Sequence, residues 1–193
     1  MDSNLSQFYG KVTKKDIDEF LIKNQRSLRY PELFWGEDCN QNPASYWDKS
    51  NLRVLICFLS DGITRAVSST YNAMDYLFKL ESKQVFVDYS YRPQSPDYHY
   101  LIDNHIPVAF GNVSHNPWWE YDLVCISGSL MSEVLNLPLF LKSAGIPFGY
   151  KARMNEKIPL IGYGGAATAT TNCIYGYIDE EHTDKSMVDF LLS

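Results

Sequence analysis

The chain has 193 residues, enough for one well-buried domain with an extension but short for two full domains. Its 17 Lys and Arg stand against 23 Asp and Glu, giving a formal net charge of -6 with no basic stripe for a phosphate backbone, so nucleic acid is excluded as the main partner. Aromatic residues make up 15%, including 14 Tyr and 4 Trp, which predicts a large aromatic share of both core and contact surface.

Thr13 followed by Asp16 has the form of a capping box, and Ile17, Phe20, Leu21, Asn24 and Leu28 then share one helical face. The pattern predicts an amphipathic helix over 14–28. The next stretch, RYPELFWGEDCNQNPASYWDKS, contains Pro31, Gly36 and Pro43, which prevent a long regular element. It is expected to strap across the domain that follows, anchored by Phe34, Trp35 and Trp47. Residues 1–50 thus form a helix and aromatic strap, and residues 51–193 a separate α/β domain.

Five apolar runs punctuate that domain: LRVLICFLSDG, QVFVDYS, IPVAFGN, DLVCISGS and IPLIGYGG. Continuous apolar runs are what strands buried on both faces require, since crossover helices cover both sides of a parallel sheet. Strands are predicted over 53–59, 84–88, 106–110, 122–127 and 158–162, with helices over 66–80, 97–104, 130–143, whose early part either tolerates Pro138 or is kinked by it, and 183–192. Right-handed crossovers of these lengths fit an α/β class: a flavodoxin-like open parallel five-stranded sheet in the order 2-1-3-4-5. Its switch point lies between strands one and three, where loops 60–65 and 111–117 are expected to flank a crevice.

Cys39, Cys57, Cys125 and Cys173 form no CxxC pair, and two of them sit inside apolar runs, so buried reduced thiols are expected rather than a zinc site or disulfides. The start MDSNLSQFYGK lacks a basic and an apolar leader region, and no stretch approaches the roughly 20 apolar residues that span a bilayer. A cytoplasmic location without membrane contact is the expectation.

Small and polar residues collect at the predicted strand ends. Ser60, Asp61, Gly62 and Thr64 stand before a helix whose free N–H groups suit a phosphate or amide acceptor, although Asp61 or Thr64 as a simple cap explains them equally well. Ser127, Gly128 and Ser129 would let a planar ligand approach the backbone, and Ser129 also suits an N-cap. Gly162 to Ala167 matches G-x-G-x-x-A by letter, but it follows the last predicted strand, where a dinucleotide half cannot be completed. His115 is expected at the crevice rim as a surface residue without a partner ligand, and His99, His105 and His182 have no metal-ligand spacing. Neither a nucleophile elbow, a P-loop nor H-E-x-x-H is present, so no self-sufficient catalytic motif is read.

From Asn51 to about Tyr175 the chain resembles the cobalamin-binding-like amino-terminal domain of B12-dependent radical SAM proteins, on the strength of ICFLSDGITRAVSSTYNAM, VFVDYSYRP, DLVCISGSLMSEVLNLPLFLKSAGIP and IPLIGYGGAATAT. The resemblance implies a cobalamin lying across Ser60, Asp61, Gly62, Thr64, Ser127, Gly128, Ser129, Gly164 and Gly165. Asp61 is followed by Gly62 and Ile63, where the D-x-H-x-x-G histidine that ligates cobalt would stand, and no CxxxCxxC triplet is present. The resemblance therefore implies a stand-alone module that holds a corrinoid for, or docks to, a separate radical SAM type partner. The alternative is a non-catalytic interaction or assembly protein with a vestigial crevice, contacting its partner through exposed aromatics that include Trp35, Trp118 and Trp119. A third reading is a small binder of a phosphorylated ligand at the helix start after Asp61.

Overall fold

The computed structural model describes residues 10–35, 44–61, 84–128, 130–155, 158–165 and 186–192. The helix expected over 66–80 lies outside them.

Helix α1 (Lys14–Asn24) begins at the predicted capping box: the Thr13 hydroxyl accepts from the Asp16 amide, and the Asp16 carboxylate accepts from the Thr13 amide at 2.7 Å. It stops earlier than its apolar period suggests. The Asn24 carbonyl takes the Ser27 and Leu28 amides into a turn, which still delivers Leu28 into the core behind Ile17, Phe20 and Leu21. The strap behind it is tied down by side chains and by backbone. Phe34 is buried and stacks on Phe110 at 5.9 Å, while Trp47 meets Phe86 and Tyr121 edge-on with the Arg53 guanidinium over its ring. Both oxygens of the buried Asp97, on helix α2 (Ser95–Asp103), accept the Arg29 and Tyr30 amides at 2.7 and 2.9 Å.

The sheet comprises β1 (Leu52–Asp61), β2 (Val85–Arg92), β3 (Leu123–Ser127), β4 (Leu160–Gly164) and β5 (Phe190–Leu192). All neighbouring pairs are parallel, in the order β2-β1-β3-β4-β5, an open flavodoxin-like α/β sheet. Central β1 is buried on both sides from Val54 to Leu59. Leu55, Cys57 and Leu59 face the larger core with Phe86, Val124, Ile126, Ile161 and Tyr163, under α1, the strap and the later helices; Val54, Ile56 and Phe58 face a second cluster with Val87, Tyr89 and Tyr91. Among the described residues, Cys57 and Cys125 are free and buried, as expected of the two thiols inside apolar runs; Cys39 and Cys173 lie outside the described residues. Burial pushes Cys125 up to about 11, and burial, then Cys125 and Asp88, push Cys57 well above the ordinary thiol range.

Three elements differ from the sequence expectation while the strand order stands. Residues 106–110 are not the third strand. Pro107 removes a ladder donor, the segment follows a turn with His105 at φ +59, and its one bridge is antiparallel, Phe110 to Pro117. It is apolar because it lies within the larger core beneath the strap, where Ile106, Val108, Ala109 and Phe110 are all buried. The tail expected as a helix over 183–192 instead supplies edge strand β5, where Phe190 packs across Gly162. The helix expected over 130–143 is two helices, α3 (Met131–Val134) and α4 (Leu137–Ala144). Pro138 falls in the first turn of α4, where a missing N–H costs nothing. Gly145 at φ +74 ends α4, with the Ile146 amide returning to the Leu141 carbonyl at 2.8 Å.

Helix α5 (Tyr150–Asn155) carries the buried Arg153, which ties the carbonyls of Pro147, Phe148, Ser186 and Met187 to the Asp189 carboxylate just before β5. Among the described residues, no helix is long and apolar enough to cross a membrane.

Candidate functional site

The chain passes from β1 to β2 on one side of the sheet, and β3 then pairs with the other side of β1. The carboxyl ends of β1 and β3 therefore bracket the switch point, where ligands of such sheets bind. Asp61 ends β1 and stands in register with Arg92 at the end of β2, after an irregularity between Phe58 and Asp61. The Nε of Arg92 is buried and has no hydrogen-bond acceptor among the described residues, a costly state for a guanidinium group. Nothing in the sequence marked this residue, because its meaning depends on what surrounds it.

Four of the expected site residues come together at the neighbouring ends of β3 and β4. Ser127 and Gly164 are paired in register and half-buried, and the Gly128 amide donates to the Gly164 carbonyl at 2.9 Å, extending the ladder past the strands. The side-chain space at Gly128 is taken by the buried Tyr163 phenol. Gly165 has φ +120 and lies against the Gly128 carbonyl. Gly128 thus serves close packing between the chain's own strands, while Ser127, Gly164 and Gly165 are half-exposed at the edge. Ser60 and Asp61 end β1, while Gly62, Thr64 and Ser129 lie outside the described residues.

Gly165→Ala is expected to cost about 2 kcal/mol of unfolding free energy, because it combines a disfavoured backbone conformation with a methyl group pressed into the Gly128 carbonyl. A shift in urea midpoint measures it, and a loss below about 0.5 kcal/mol would show that the two strand ends are free to part.

Loop 111–117, expected at the crevice, lies instead over the middle of β2. Because 106–110 is not a strand, the loop after it does not emerge at the carboxyl edge. The Asn112 amide donates to the Tyr89 carbonyl at 2.9 Å, and the buried Asp88 carboxylate accepts the Val113 and Ser114 amides at 3.1 and 2.9 Å. Tyr121 donates its hydroxyl to Asp88 at 3.1 Å and pairs with the Ser114 hydroxyl at 2.9 Å. Burial first, then the Asp88 charge, pushes the Tyr121 phenol well above its ordinary range, so it stays a donor. His115, expected on the surface, is buried under the strap. Among the described residues, no group of three or more His, Cys, Asp or Glu is arranged to hold a metal ion.

The tryptophans expected on an exposed face are largely turned inward. Trp118 is fully buried, its indole N–H donating to the Ala144 carbonyl at 2.7 Å, because the turn at Trp118–Glu120 directs it under α4. Trp119 packs edge-on against it and is half-buried; Trp35 is half-buried against His115. Exposed apolar residues lie elsewhere, scattered at Ile22, Met154 and Leu160 among others, with a series of three, Leu130, Leu135 and Leu139 at 60, 80 and 43% exposure, following directly on the end of β3.

Comparison with protein-family models, with characterised proteins and with solved structures finds no match for this chain.

Proposed function

We propose that the chain is a cobalamin-binding-like module that holds a corrinoid at the carboxyl edge of its sheet for a separate catalytic partner. The observation that carries the reading is Arg92, whose buried Nε–H at the end of β2 calls for an acceptor from a ligand. A corrinoid is ringed by amide carbonyls and carries a phosphate in its tail, so it brings acceptors as well as a flat face. Half-exposed backbone at Ser127, Gly164 and Gly165 suits that face, with Gly128 engaged by Tyr163, and it is the resemblance alone that adds Ser60, Asp61, Gly62, Thr64 and Ser129 as further contacts. When bound, the corrinoid supplies a cobalt centre for group transfer; this chain's residues bind and orient it.

A second reading is favoured by Leu130, Leu135 and Leu139, an exposed apolar series on the α3–α4 stretch that suits docking to another protein. One experiment separates the two. Hydroxocobalamin is titrated into the protein and followed by absorbance and gel filtration. The corrinoid reading expects retention with micromolar affinity, about 8 kcal/mol, and a loss of about tenfold in Arg92→Met. No retention at concentrations on the order of tens of micromolar removes it and leaves the leucine surface as the functional feature.

A further inference from the structure

His115 stands where α1, the strap and loop 111–117 meet. Its backbone is held at φ +55, which costs a residue bearing a β-carbon free energy unless its surroundings enforce it. The residue is only 5% exposed. Nδ1 lies 2.5 Å from Asp18 Oδ1 on α1, and Nε2 lies 3.0 Å from the Phe34 carbonyl in the strap. The Trp35 ring meets the imidazole edge-on at 4.9 Å, and Phe110 closes another side at 6.4 Å.

A carbonyl only accepts, so Nε2 carries a proton. A second proton lies between Nδ1 and Asp18, because a bare nitrogen lone pair facing a carboxylate would repel it. The pair therefore holds one proton more than a neutral imidazole beside an ionised carboxylate. Lys14 donates to the other Asp18 oxygen at 2.7 Å, which keeps Asp18 ionised and the extra proton on the ring. Partial burial pushes the Asp18 carboxyl up, but hydrogen bonds from Lys14 and His115 outweigh it and hold the group below its ordinary value.

We propose that His115 and Asp18 form a proton-dependent latch that holds α1 and the strap on the sheet domain. The groups that set it are Asp18 and Lys14 from α1, the Phe34 carbonyl and Trp35 ring from the strap, and Asp88 with Tyr121, which bond the neighbouring Ser114. Rising pH takes the extra proton, leaving Asp18 or the Phe34 carbonyl without a donor. Falling pH protonates Asp18 through its lowered value and removes the charge pair, so that side of the stabilisation is present above the carboxylate range and lost below it. Docking is therefore strongest where Asp18 is ionised and the ring still holds both protons.

Amide hydrogen exchange of residues 14–34, corrected for intrinsic rates and compared with β1 and β3, reads the latch directly. Protection of the segment is expected to be at least tenfold lower at pH 8.5 than at pH 5.5, with β1 and β3 unchanged. His115→Asn retains the left-handed backbone, which Asn tolerates, and is expected to abolish the pH response; Asp18→Asn is expected to lower protection at pH 5.5. Equal protection of the natural chain at the two pH values, or an undiminished fall in His115→Asn, overturns the proposal. A nitrogen-15 spectrum of the natural protein gives a test independent of any variant's folding: both ring nitrogens of His115 are expected to bear protons at pH 5.5, and a singly protonated ring there contradicts the latch.

Discussion

Asp88→Asn is expected to destabilise the protein by about 4 kcal/mol, a large fraction of the total for any domain of this size. Asp88 is fully buried in mid-β2, and its carboxylate accepts from the Tyr89, Val113 and Ser114 amides and from the Tyr121 hydroxyl. The substitution keeps the shape but replaces one acceptor oxygen with an NH2 group that faces donors. Two hydrogen bonds to a charged acceptor are lost, each worth about 1.5–3 kcal/mol, and the donors left behind are buried. Gly111 sharpens the expectation, because a β-carbon there would press on both Asp88 and Tyr121, so the loop has no room to retreat. Urea unfolding followed by tryptophan fluorescence measures the effect. A loss below about 1 kcal/mol would mean that loop 111–117 is held by its apolar contacts alone.

Arg153→Met is expected to cost about 3–5 kcal/mol, because it leaves the Asp189 carboxylate buried beside carbonyls that have lost their donor. Arg153 Nε and Nη2 both reach Asp189 Oδ1 at 2.9 Å, and its remaining N–H groups serve the Pro147, Phe148, Ser186 and Met187 carbonyls. Lysine carries the charge but not the planar fork, so Arg153→Lys should recover less than half of the loss. Asp189 Oδ2 also accepts the Ile161 amide at 2.7 Å, which makes this cluster the joint between β4 and the strand that closes the sheet. The variant should accordingly lose exchange protection in β5 before β1. Uniform loss across the sheet would show that Arg153 acts on global stability instead.

The parts of the fold legible in the sequence are those whose signal is local. Thr13 and Asp16 announce α1 because a capping box needs two side chains three residues apart. The runs around β1, β3 and β4 read as strands because both faces of a parallel sheet are covered. The run at 106–110 carries the same apolar signal for another reason: it is an irregular segment buried between the sheet and the strap, and hydrophobicity alone does not distinguish the two. The three residues of β5 are too few for any period to register. The aromatic anchors Phe34 and Trp47 were legible as such, whereas Trp118 was not, since an indole reads the same whether its N–H meets water or the Ala144 carbonyl. Of the candidate site, small residues at the ends of β3 and β4 were visible in the sequence. Their engagement with Tyr163 and with each other was not, nor was Arg92, whose buried nitrogen is a property of the folded edge.

The account turns on whether the carboxyl edge of the sheet takes up a ligand, and backbone amide chemical shifts during a hydroxocobalamin titration test this most directly. The predicted result is saturable shifts concentrated on Arg92 and on the proposed contacts at 60–64, 127–129 and 164–165, with weaker binding in Arg92→Met. Shifts absent at saturating corrinoid, or confined to the exposed leucines of α3 and α4, would contradict it.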